Sequence, residues 1–277
     1  MGHWPLAMAG GGVVTTIGNG ASSRMTTVTA AATAHTKGAW AQIIASTVTE
    51  TSYAEVVISG VNTAADYLVD IGIGCAGSEI VLIPDLVAGS GTGAGSKGSS
   101  RYWFPVSIPS GARVSARCQA TTLSFTCRVG MTLGSGAFTA EAGMGRVTAY
   151  GVTSATTRGT TVDPGGTANT KGSWVQLTAS TTNRIQALLF GQSNLVQTAR
   201  TGCDWLFDLG VGAAASEVAL ISNRHVDCIS TDDTIHPQGS GPFLVNIPAG
   251  SRLAVRAQCS ITTATVRNLC PIVYGIG

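Results

Sequence analysis

The chain has 277 residues, of which only 11% are charged, with 16 Lys and Arg against 14 Asp and Glu and a formal net charge of +2. The basic residues are scattered, which removes the phosphate-binding stripe that nucleic-acid binding needs, and the apolar segments near Leu68 and Leu188 are broken by Asp, Gly or Gln before they reach the roughly 18–20 residues that span a bilayer. A surface so poor in charge is weak at holding copies of a chain apart, so the composition points to a subunit of an assembly without nucleic-acid or membrane contact.

In chain order, residues 1–12 form a Gly-rich arm without the basic start and apolar core of a secretory signal. Trp4 is its natural anchor on a neighbouring subunit. Residues 13–135 then carry a run of short, β-branched-rich segments. They cover Thr26–Ala34, Trp40–Ser46, Glu55–Ser59, Asp66–Ile73, Glu79–Ile83, Tyr102–Ile108, Arg113–Ala120 and Leu123–Met131. Turn signals separate them at Thr36-Lys-Gly38, Ser59-Gly60, Gly72 to Gly77 and Pro109-Ser-Gly111. No 3.6-residue stripe competes with this period-2 pattern. Residues 136–145 read as a Gly- and Ala-rich linker, and 146–277 repeat the scheme.

The repetition is explicit. Asp66-Tyr-Leu-Val-Asp-Ile-Gly-Ile-Gly74 returns as Asp204-Trp-Leu-Phe-Asp-Leu-Gly-Val-Gly212, each copy followed by Ser-Glu and a short apolar run. Arg24, Lys37, Gly38 and Trp40 match Arg158, Lys171, Gly172 and Trp174, and Ile108-Pro-Ser-Gly-Ala-Arg113 matches Ile247-Pro-Ala-Gly-Ser-Arg252. A tandem duplication follows. About eight short strands per repeat, with loops of varied length, predict an all-β chain of two jelly-roll-like β-sandwiches; an immunoglobulin-like sandwich is the alternative. The loops after the central hairpin differ. One is Gly- and Ser-rich (87–100), the other (222–241) carries His225, Asp227, Asp232, Asp233 and His236.

Four charges recur in a chain that has few. Asp66 and Asp70 share a strand face, as do Arg113 and Arg117, and they return as Asp204, Asp208, Arg252 and Arg256. The leading expectation is an inter-strand ion-pair network, with Asp70 beside Arg117 and Asp208 beside Arg256. A subunit-interface network, a calcium site from Asp66, Asp70 and Glu79, and an acid–base carboxylate pair are the competitors in that order. Glu79 and Glu217 read as turn caps facing solvent. Gly72-x-Gly74-x-x-Gly77 has dinucleotide-binding spacing but no helix after it. The polar loop around His225 and His236 matches no metal motif. No catalytic residue and no cofactor is therefore assigned. Trp40 and Trp174 read as structural aromatics rather than sugar platforms, and Tyr102 and Trp103 as a partner contact of the first repeat. Of the seven cysteines, Cys118/Cys127, Cys259/Cys270 and Cys203/Cys228 are the possible pairs, with reduced buried thiols the plainer reading.

The repeated Asp-Tyr-Leu-Val-Asp-Ile-Gly-Ile-Gly, Ser-Glu and Leu-Ile-Pro, with Phe-Pro-Val-Ser-Ile-Pro-Ser-Gly-Ala-Arg, Ala-Arg-Cys-Gln and Asn169-Thr-Lys-Gly-Ser-Trp174, resembles a family of tailed-bacteriophage virion proteins. The resemblance implies a non-enzymatic β-sandwich structural subunit at a capsid-decoration, neck or tail position. It would be assembled in the host cytoplasm and partnered by copies of itself and other virion proteins. A carbohydrate- or receptor-binding module on the virion surface is the alternative. Assembly contacts are expected at Trp4, Tyr102, Trp103, His225 and His236.

Overall fold

The computed structural model describes residues 12–19, 25–61, 65–89, 99–135, 145–152, 157–194, 203–228, 238–264 and 266–277. Among them every regular element is a strand. The first half holds β1 (Val14–Ile17), β2 (Thr26–Thr29), β3 (Ala41–Ile44), β4 (Tyr53–Ser59), β5 (Asp66–Ile73), β6 (Ile80–Gly89), β7 (Ser100–Phe104), β8 (Val114–Ala120) and β9 (Thr126–Gly134). The second holds β10 (Val147–Tyr150), β11 (Val175–Thr178), β12 (Ile185–Asn194), β13 (Cys203–Val211), β14 (Val218–Cys228), β15 (Gln238–Ile247), β16 (Leu253–Cys259) and β17 (Leu269–Ile276).

The strands pair into four antiparallel sheets, two per half. In the first half one sheet runs β1-β9-β4-β7, with β2 also on β9, and the other runs β3-β8-β5-β6. In the second half the orders are β10-β17-β12-β15 and β11-β16-β13-β14. Counting β1 and β2 as one broken first strand, both halves place their first, eighth, third and sixth strands in one sheet and their second, seventh, fourth and fifth in the other. That order is the jelly roll, two interlocked Greek keys. The immunoglobulin-like alternative requires a different order.

Period-2 burial explains the sheets. In β4, Ala54, Val56 and Ile58 are buried while Glu55, Val57 and Ser59 are half-exposed. In β5 every residue but Ile73 is buried, so both faces of that strand are covered. Bounds shift by a few residues in several strands, and two departures are larger. β6 runs on to Gly89 through Pro84, which an edge strand tolerates because its outer N–H needs no partner. β1 was not anticipated; it is four residues long and mostly exposed, with only Ile17 buried.

The two sandwiches share a largely apolar seam. The core of the first includes Ala187, Leu189, Ile272, Tyr274 and Ile276 of the second. These residues project from the outer face of the β12–β17 sheet into the open edge between β6 and β7. Tyr274 stands edge-on to Tyr102 and Phe104, with ring centroids 5.8 and 5.9 Å away. Its hydroxyl donates to the Asp85 carbonyl at 2.8 Å and accepts from the Val87 N–H at 3.0 Å. The Tyr102 hydroxyl donates to the Val87 carbonyl at 2.5 Å. Two phenols thus satisfy edge groups of β6 that a further strand would otherwise take. Gly191 and Gly239 allow the approach. A Cβ on Gly191 would meet the Tyr274 ring at 2.8 Å, and one on Gly239 would meet the Arg101 carbonyl at 2.9 Å. Beside the seam, Arg158 bonds Asp66, and the Thr157 hydroxyl lies 2.5 Å from His35 Nδ1.

Candidate functional site

The charges singled out in the sequence occupy the outer face of the second sheet of each sandwich. Each assembly begins with a β-bulge. Val69 pairs with Leu86 and Ile71 with Ile83, so Pro84 and Asp85 together oppose Asp70. Phe207 pairs with Arg224 and Leu209 with Ile221, so Ser222 and Asn223 oppose Asp208. Asp85 and Asn223 have φ of 53° and 55°, a left-handed conformation that Asp and Asn enter more readily than other side chains. The carboxylate opposite the bulge accepts its freed N–H: Asp85 N to Asp70 Oδ1 at 2.9 Å and Asn223 N to Asp208 Oδ1 at 2.8 Å.

A lysine and an arginine complete the arrangement. Lys37 Nζ reaches Asp70 Oδ1 at 2.6 Å and the Leu68 carbonyl at 3.1 Å; Lys171 reaches Asp208 Oδ1 and the Leu206 carbonyl, each at 2.8 Å. Lys37 also bonds Asp85 Oδ1 at 2.8 Å. Asn223, the counterpart of Asp85, has no carboxylate to offer. Arg117 Nε meets Asp70 Oδ2 at 2.9 Å and Arg256 Nε meets Asp208 Oδ2 at 2.9 Å. Each guanidinium lies over a tryptophan, with Arg117 above Trp40 and Arg256 above Trp174, both 4.5 Å from the ring centroid. Each indole rests on a glycine beneath it: a Cβ on Gly72 or Gly210 would meet the ring at 2.7 Å. Each ring is therefore packed between groups of its own sandwich. Gly38 and Gly172, which precede these tryptophans by two, sit against the carbonyls of Thr29 and Pro164 with no room for a side chain.

Burial disfavours the charged form of Asp208, but the bonds from Lys171, the Asn223 N–H and Arg256 outweigh it and hold the carboxyl below its ordinary range. Next to each of these aspartate-centred latches, at Asp70 and Asp208, Arg113 bonds Glu79 at 2.5 Å and Gln42 at 3.0 Å, and Arg252 bonds Glu217 at 2.6 Å and Gln176 at 2.9 Å. Burial likewise opposes Glu79 and Glu217, and their arginine and backbone hydrogen bonds overcome it, so both pKa values are lowered.

The expectation of solvent-facing glutamates is overturned. Glu79 and Glu217 do not face solvent; their side chains are 1% and 2% exposed and are held by Arg113 and Arg252. The arginines at 113 and 252 therefore serve glutamates rather than the aspartates four residues from the latch. Asp66 is taken by Arg158 across the seam, while Asp204, its repeat counterpart, is exposed and 3.4 Å from His225. Asp66, Asp70 and Glu79 do not converge as calcium ligands, because each is bound to a different set of cationic side chains. Gly72 and Gly74 lie at the end of a strand and its bend, without a helix. Tyr102 is buried in the seam, and Trp103 stacks on Tyr53 at 5.5 Å within the same sandwich. Trp4, His236, Asp232 and Asp233 lie outside the described residues.

The described cysteines Cys75, Cys118, Cys127, Cys203, Cys259 and Cys270 are free thiols. Cys127 is hydrogen-bonded to Cys118, which with burial raises its pKa well above the thiol range. Cys259 is hydrogen-bonded to Cys203, not to Cys270, which draws its pKa down to about 7. Cys270 lies 3.9 Å from the Thr161 hydroxyl, and burial pushes its thiol up to about 12. The residues that sequence reasoning passed over are Lys37, Lys171, Asp85, Asn223, Arg158 and Tyr274. The repeated Lys-Gly-x-Trp was the available signal for the lysines. Nothing local marks Tyr274, whose role depends on what it covers.

No protein-family model and no curated protein matches this chain. Among solved structures it is similar to a chain from the cryo-EM atomic structure of broad bean stain virus, at 10% identity over 96% of this chain and 90% of that one, with a TM-score of 0.29. A chain from the structure of the infectious bursal disease virus Gx strain shares 9% identity over 95% of this chain and 77% of that one, with a TM-score of 0.19.

Proposed function

We propose that this chain is a non-enzymatic structural subunit of a virus particle, of the tailed-bacteriophage kind that its repeated motifs resemble, acting through contacts with its own copies and with other particle proteins. The observation that supports it most is the use made of its scarce charges. In both sandwiches the recurring carboxylates at Asp70, Asp208, Glu79 and Glu217 are tied to Lys or Arg on the sheet surface. A general acid or base would need an accessible group in a cleft, poised near the working pH, whereas Asp208, Glu79 and Glu217 are held in the opposite direction. What the fold invests in is a stiff, twice-repeated wall.

The reading is tested by isolating particles from the source of the sequence and identifying their proteins by mass spectrometry. Peptides from both halves of the chain are expected to co-sediment with intact particles in fixed stoichiometry. Their recovery only from the particle-free supernatant would overturn the reading. Cryo-electron microscopy of the same particles places the subunit at a capsid, neck or tail position.

A further inference from the structure

We propose that the open edge of the second sandwich, between β14 and β15, is a docking site for the first sandwich of another copy of this chain, so that copies join head to tail. The inference rests on the assembly reading above and adds to it the surface and the partner.

The duplication supplies the argument. Within the chain, the edge between β6 and β7 of the first sandwich is closed by the outer face of the β12–β17 sheet. The same edge exists in the second sandwich, where the matched described residues are exposed. The consequence shows in matched residues. Asp66 has a side chain 7% exposed and Asp204 one 62% exposed. Val87 is fully buried, whereas its counterpart His225 is 57% exposed. Tyr102, whose hydroxyl seals the first edge, is matched in strand register by Phe243, which is half-buried and has no hydroxyl to offer.

The complementary face also exists, on the first sandwich. Strand register identifies it: Glu55 pairs with Thr132 and Val57 with Gly130, as Ala187 pairs with Ile276 and Leu189 with Tyr274. The face that seals the internal seam is apolar, and its counterpart is mixed and polar. The open edge has changed in the same sense, with Leu86 and Val87 replaced by Arg224 and His225. Both sides of the second contact are thus polar where both sides of the first are apolar. Arg224 turns inward at the edge, its guanidinium 5.8 Å from the Phe243 centroid, and its buried Nε has no hydrogen-bond partner among the described residues. A buried donor left without an acceptor is costly, and Glu55 on the complementary face is an acid where the internal seam has Ala187. Arg101, 60% exposed on that same face, is bonded to Glu55 at 2.9 Å within the chain, and docking would exchange this exposed pair for contacts of Glu55 with Arg224 and of Arg101 with Asp204. Each chain then offers one edge and one face, a heterologous contact that closes into a ring or extends as an open array. The internal seam is apolar and buried, and the intermolecular one is charged, salt-sensitive and reversible.

Sedimentation velocity on the full chain over a concentration series tests this with one variant per surface, Asp204→Arg on the edge and Val57→Arg on the face. Each alone is expected to weaken self-association by about tenfold or more. An equimolar mixture, which retains one intact edge and one intact face, is expected to recover association but to stop at two chains. His225→Glu and Arg101→Glu, at exposed positions, repeat the test should a first variant misfold. Wild-type association in both single variants, or a mixture with no heterodimer, overturns the proposal and leaves the particle reading standing. A wild-type chain that stays monomeric throughout also overturns it, while the particle reading is decided separately by the presence of its peptides in purified particles.

Discussion

Asp208 is 2% exposed and accepts from Lys171, Arg256 and the Asn223 N–H. Removing it strands two cations and a bulge amide at once. The cations keep partial access to water, so the cost falls short of that of a fully buried pair. Asp208→Ala is expected to lower unfolding free energy by about 2–4 kcal/mol in urea titrations. A loss under about 0.5 kcal/mol, the size of an ordinary surface substitution, would mean that the latch is decorative. The pH response follows from the same groups. Asp163, Asp208, Glu79 and Glu217 all have pKa values lowered by the fold. A depressed carboxyl contributes stability above its unfolded pKa, near 4, and loses it as pH falls through the folded value. Stability is therefore expected to be level from neutral pH to about 5 and to fall steeply below about 4, with a shallower fall in Asp208→Asn. A chain that gained stability on acidification to about pH 3 would contradict this assignment.

The strand β6 shows what kind of information a sequence holds. Its pairing with β5 was legible, because the acid, aromatic, apolar and glycine pattern of Asp66–Ile73 is repeated at Asp204–Val211 and each copy leads into a bend. Its length was not, because the apolar segment expected there stops at Ile83, whereas Pro84 and Asp85 form a bulge opposite Asp70 and the strand continues beyond them. The same limit applies to the charges. Period 2 says that Asp66 and Asp70 share a face, but it cannot say that Lys37 crosses from a distant turn to one of them or that Arg158 of the other half takes the other. Nor does any local pattern mark the edge of β6 as closed by a phenol. Tyr274→Phe keeps the ring between Tyr102 and Phe104 and removes only the hydroxyl shared by Asp85 and Val87. Its expected cost is about 1–3 kcal/mol, and the Val87 amide should lose protection in hydrogen exchange while the amides along the β5–β8 ladder keep theirs. Unchanged protection at Val87 would show that the edge is sealed without the phenol.

Because residues of the second half complete the core of the first, the two sandwiches should unfold together. Calorimetry on the full chain is expected to give one transition whose calorimetric and van't Hoff enthalpies agree. Tyr274→Ala should separate it into two by opening the seam. Two transitions in the wild type would mean that the seam is a contact between independent domains.

The seam has a further consequence for bookkeeping in any structure built from this chain. Two jelly rolls made as separate proteins must find each other in equal numbers, and an excess of either is left over. Here translation sets their ratio at one to one, and the buried contact through Tyr274 keeps each pair together after synthesis. The two sandwiches therefore enter any structure built from this chain in equal numbers.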